Sequence, residues 1–116
     1  MNKLIEEQLM RLPGLIRDQQ NMMLETAARL VDVKRDLELC ELDISNGILN
    51  TEEGKKQYTN DNARRAAIAN IHANNPEYRG KLLAKTDLEH VVQLEKIGLE
   101  FLHNTLRATI AIAEMN

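Results

Sequence analysis

Apolar residues recur along most of the chain with the three- and four-residue alternation of a helix rather than the period of two of a strand. Ile16, Met23, Leu30, Leu37 and Ile44 fall seven apart, and Ala27, Val33 and Cys40 widen that stripe. The pattern predicts a first arm over residues 15–45, stopped at Ser45-Asn46-Gly47, where Asn and Gly accept the left-handed conformation of a helix end. Residues 1–14 form a separate amphipathic segment with Leu4, Ile5, Leu9 and Leu12, and Pro13-Gly14 predicts a kink or break after it. Residues 46–58 read as a loop holding Gly47 and Gly54, tacked down by Ile48 and Leu49. A connecting helix is expected over 59–75, capped by Thr59 or Asn60, with Asp61 at the positive end of its dipole. Its Ala63, Ala66, Ala67, Ile68, Ala69 and Ile71 suit close packing, and Asn75-Pro76 ends it.

The second arm, residues 76–116, carries two apolar lines. Leu88, Val92, Leu99, Leu102, Leu106, Ile110 and Ala113 form one; Val91, Leu94, Gly98, Phe101, Thr105, Ala108, Ile112 and Met115 form the other. One hairpin partner covers one line. A second line calls for a second surface, and another copy of the chain supplies it most simply. The expected fold is therefore all-α: an antiparallel, coiled-coil-like hairpin of two long arms with a short Ala-rich connecting helix, assembled as a homodimer or higher oligomer. Val91, Leu94, Leu99, Phe101, Leu102, Leu106 and Ile112 are the expected interface.

Composition narrows the picture without changing it. The chain has 116 residues, 43% hydrophobic but only 3% aromatic, with few Gly and Pro, which disfavours a sandwich or barrel and gives a thin core for one small domain. The lone Cys40 cannot form an intrachain disulfide, no run of apolar residues is long enough to span a membrane, and Glu6-Glu7 interrupt any leader-like stretch. A cytoplasmic protein is the expectation.

Charge is uneven along the chain. Six basic and eleven acidic groups in residues 1–53 give way to six basic and two acidic ones in 54–81, a basic island in a chain of net charge −3. Lys55, Lys56, Tyr58, Asn60, Arg64 and Arg65 gather around the start of the connecting helix, with Arg79 and Lys81 further on. Cations beside free backbone N–H groups suit an anion, and Tyr58 offers a ring and a hydroxyl. The opposing expectation is a solvated face or an ion-pair network with the acidic arms.

Catalytic chemistry finds little footing. Asp87-x-x-His90 and Glu100-x-x-His103 have carboxylate–histidine spacing, but both lie on one helix and face different ways, and His72 stands apart. Cys40 sits on an apolar stripe with no adjacent histidine, and no phosphate loop is present. No enzyme, cofactor or metal is expected.

The stretch Lys55-Lys56-Gln57-Tyr58-Thr59-Asn60, then Ala63-Arg64-Arg65-Ala66-Ala67, Asn75-Pro76-Glu77-Tyr78, and Leu94-Glu95, Leu99-Glu100-Phe101-Leu102 and Arg107, resembles small uncharacterised helical-hairpin proteins of bacteriophages and prophages, over roughly residues 50–110. The resemblance implies a phage or mobile-element interaction protein acting in a bacterial host on a host protein or phosphate-bearing ligand, for instance as a defence antagonist that inhibits a protein or sequesters a nucleotide signal. An accessory factor in phage DNA recombination or replication is the alternative, weakened by the mild charge and scarce stacking aromatics. A metal-dependent helical-bundle enzyme is a remote third.

Overall fold

The computed structural model describes residues 2–115, and all of its regular structure among them is helical: α1 (Lys3–Leu49), α2 (Glu52–Gln57), α3 (Asp61–Asn74) and α4 (Pro76–Met115). The long helix α1 packs on α4 as in a hairpin. Contacts divide the chain into two compact units, residues 2–29 with 88–115, and residues 30–87.

The first unit consists of two helices only, so whatever one of them buries, the other covers. On α1 the covered positions are Ile5, Leu9, Leu12, Ile16, Gln19, Met23 and Thr26; on α4 they include Leu88, Val92, Glu95, Leu99, Leu102, Leu106, Thr109 and Ala113. Both series step by alternating fours and threes without a fault, which is the a/d seam of a coiled coil. The expected inner line differs at two places. Thr109, not Ile110, is buried, and Glu95 fills the position between Val92 and Leu99. Helical phase outranks side-chain polarity here: keeping Ile110 inside would break the seven-residue repeat.

The second unit continues the rule on α1 through Leu30, Val33, Leu37, Cys40 and Ile44, with Tyr78, Lys81 and Lys85 half-buried on α4. Here α3 adds a third layer with half-buried Ala63, Ala67, Ile68 and Ile71; Ala66 and Ala69 are exposed.

Three expected boundaries are corrected. No break follows residues 1–14, because α1 runs through Pro13. Pro13 lies on an exposed position of that helix, and its missing N–H costs one backbone hydrogen bond without ending it. Gly47 does not stop α1 either. No described residue has a positive φ, and the helix continues to Leu49. The turn comes at Asn50-Thr51, and the expected loop over 46–58 holds the helix α2 instead. Thr51 caps it: its backbone is extended, its Oγ1 accepts from the Gly54 N–H at 3.0 Å, and the same hydroxyl donates to the Ile48 carbonyl at 3.0 Å. Gly54 is buried against the last turn of α1, where a Cβ would collide with the Ile48 carbonyl oxygen. Only glycine permits that approach.

The remaining joints follow expectation. Asn60 caps α3 by accepting from the Ala63 N–H at 2.8 Å. Asn75, extended ahead of Pro76, ends α3 with its backbone N–H on the His72 carbonyl, and its side chain accepts from the Tyr78 N–H at 3.0 Å to open α4.

Candidate functional site

Polar side chains collect at three places, and an apolar surface lies at a fourth. Within the first unit the seam is interrupted by a polar layer. Thr26 Oγ1 lies 2.6 Å from Glu95 Oε1 and 3.1 Å from the Met22 carbonyl, so its single proton serves two acceptors. Gln19 Nε2 donates to the Glu95 backbone carbonyl at 2.9 Å, its amide crossing α4 at Gly98, where a Cβ would stand 2.9 Å from that nitrogen. Glu95 is only 8% exposed, and its Oε2 has no hydrogen-bond partner. Apolarity alone misses these residues; a strict 3–4 count from Val92 or Ile16 lands on them.

The second unit holds a ring cluster. The His72 imidazole stacks on the Tyr78 ring at 4.2 Å and 13°, with its Nε2 buried and without a partner. The Tyr78 hydroxyl donates to Glu41 Oε1 at 3.3 Å. Burial, and then the neighbouring Glu41 carboxylate, raise the Tyr78 phenol above its usual pKa of 10.0. Turning the chain at Asn75-Pro76 brings residues 72 and 78 face to face. The other histidines lie on α4, His90 exposed and His103 half-buried. Among the described residues no three His, Cys, Asp or Glu side chains are grouped to hold a metal ion.

The expected basic site is distributed over three helices. Lys55 and Lys56 are exposed in the last turn of α2, opposite Glu52 and Glu53 in its first, an arrangement that complements the helix dipole. Tyr58 closes α2, its N–H bonding the Gly54 carbonyl at 3.0 Å, and Asn60 is committed to capping α3. Arg64 turns back on this corner: Nε donates to the Tyr58 carbonyl at 2.8 Å and a terminal nitrogen lies 3.8 Å from Asp61. Its neighbour Arg65 is exposed. That separates the two arginines by role, a choice helical spacing alone leaves open. Arg79 is exposed on α4 beside Pro76, Gly80, Leu82, Leu83 and Thr86, which line an open groove. Lys81 is half-buried, its Nζ 4.0 Å from Glu77. The ion pairs Arg35–Asp32, Arg64–Asp61 and Lys81–Glu77 are exposed or partly so, and each joins near neighbours on one helix.

The apolar surface is the outer face of α4. Of the expected interface residues, Leu99, Leu102 and Leu106 are half-buried on the seam, whereas Val91, Leu94, Phe101 and Ile112 are exposed. Phe101 is 68% exposed, Leu94 54% and Ile112 50%, and Ile97 and Met115 join them. α1 in the same unit also exposes Leu4, Met10, Met22 and Leu24, but Arg11, Asp18, Glu25 and Arg29 are interspersed with them. Among the described residues no helix is long and apolar enough to cross a membrane.

No family model, no curated protein and no solved structure matches the chain.

Proposed function

We propose that the chain is a non-enzymatic helical interaction protein whose docking surface is the outer line of α4. The observation that carries this reading is the exposure of Val91, Leu94, Ile97, Phe101, Ile112 and Met115 on one helix whose inner seam is already filled. Taken at their exposed fractions, these six residues present several hundred Å² of surface, on the order of one side of a standard interface. Thr105 does not interrupt the line, since its hydroxyl donates to the Phe101 carbonyl at 2.8 Å and leaves its methyl group to face a partner. The exposed cations Lys55, Lys56, Arg65 and Arg79 favour an acidic or phosphate-bearing partner at the second unit.

Changing Leu94→Gln and Phe101→Ser together tests the reading. The unchanged protein should either associate in light scattering or bind an apolar-surface dye. The double variant should keep its helical circular dichroism and lose both behaviours. A variant that associates and binds dye like the unchanged protein overturns the assignment.

A further inference from the structure

The outer line has an internal symmetry of its own. In order it reads Val91, Leu94, Gly98, Phe101, Thr105, Ala108, Ile112, Met115, with steps of three and four residues. Taken from both ends at once, Val91 matches Met115, Leu94 matches Ile112, Gly98 matches Ala108 and Phe101 matches Thr105. Large residues fall opposite large ones, the two smallest fall opposite each other, and the single ring falls opposite a mid-sized side chain. Such a line is complementary to its own reverse, which is what a two-fold axis requires of an isologous interface.

Resting on the reading of this face as a docking surface, we propose that its occupant is α4 of a second copy, running antiparallel about an axis at position 103. The alternation of threes and fours gives the line the period of a coiled-coil seam, so a helix of the same period lies along it throughout. At the Gly98–Ala108 layers the Gln19 amide of the same chain already lies over Gly98, so the second helix meets that amide there and not the glycine itself. Ile97, Asn104 and Ala111 flank the line on its outer side, so no acidic or basic pair is forced together, and the two copies of Asn104 face each other near the axis. The exposed large residues of the line, Val91, Leu94, Phe101, Ile112 and Met115, offer several hundred Å² per copy, comparable to the ~800 Å² that each side of a standard interface buries.

The register is tested by a charge swap. Leu94→Glu alone and Ile112→Lys alone should each convert a dimer into a chain of 13.2 kDa in light scattering, because each places a charge against an apolar residue of the second copy. Both changes in one chain should restore the dimer, since antiparallel pairing sets Glu against Lys twice. A parallel pair would set like against like. If the double variant stays monomeric while the unchanged protein is a dimer, the antiparallel register fails and the docking face stands. If neither single change alters the mass of a dimer, the face itself is misassigned. If the unchanged protein is a monomer, the second copy is the wrong occupant, and dye binding decides the face separately.

Spin labels provide a reading that does not depend on the charged variants. In a Cys40→Ser background, labels at Gln93→Cys lie ten residues from the axis and should be separated by about 30 Å along it, whereas labels at Asn104→Cys should lie within about 20 Å of each other. Short distances at both positions overturn the antiparallel arrangement.

Discussion

Glu95 and Thr26 show how unequal the two ends of one hydrogen bond can be. Thr26→Val removes the only side-chain donor to a carboxylate that is nearly sealed from water, and should destabilise the hairpin by about 1–3 kcal/mol in chemical denaturation. Glu95→Leu acts in the opposite direction. The Thr26 hydroxyl falls back on the Met22 carbonyl, the Gln19 amide keeps its backbone acceptor, and a buried carboxyl oxygen without a partner disappears, so a gain of about 1–3 kcal/mol is expected. What the polar layer supplies against that cost is register, because sliding α4 by one heptad would break the Thr26–Glu95 hydrogen bond. Tyr78 makes a different kind of prediction. Its pKa is raised in the folded chain, so the neutral phenol is the stabilised form. That contribution is complete below the usual value of 10.0 and is lost as pH rises past it toward the folded value. Denaturation midpoints should therefore fall more steeply above pH ~10 for the unchanged protein than for Tyr78→Phe. Equal slopes would separate the Glu41 contact from folding.

At the scale of elements, the three longer helices were legible in the sequence; the short α2 and the ends set by tertiary contact were not. Asn60 announced itself because a side chain one residue ahead of a helix accepts from an N–H three residues on, and Asn75 because the residue before a proline leaves the helix. Both are local events, although the capping of α4 by the Asn75 side chain was not anticipated. Gly47 misled because its permissiveness is an allowance and not an instruction: packing of Ile44 and Ile48 holds it helical. Pro13 misled likewise, since its cost depends on which way the orphaned carbonyl faces, and that is set by the fold. Gly54 carries the opposite lesson. Its need for glycine comes from the Ile48 carbonyl, a contact that exists only after α2 has folded back on α1. Gly54→Ala would normally strengthen a helix by up to about 1 kcal/mol. Here it should lower stability by about 2 kcal/mol or more and shift the α1–α2 turn, visible as faster amide exchange at Gly54 and Lys55, whose N–H groups bond Thr51. Gly47→Ala, with open space around its Cα, should gain stability and calibrates the comparison.

At the scale of the whole chain, the sequence showed that α4 has two apolar lines but did not say which line faces inward. Both have the same period, and only the partner helix settles the question. Leu99 and Leu106 share a line with Glu95 and lie against α1; Leu94 and Phe101 share a line with Thr105 and face out. The basic island was legible only as composition. Its residues turned out to include a helix cap, a helix closure and a turn-bridging arginine, because backbone groups at the α2–α3 corner compete for the same side chains a ligand would use. The two lines of α4 should consequently answer the same chemistry differently. Leu99→Glu with Leu106→Glu places two carboxylates in a largely apolar seam, at a cost of several kcal/mol each, and should abolish the helical circular dichroism of α1 and α4 together. Leu94→Glu with Phe101→Glu adds the same two charges at positions already more than half exposed, and should leave that signal and its melting midpoint within a few degrees while removing association. Loss of helix from the outer pair, or its retention by the inner pair, would exchange the roles of the two lines.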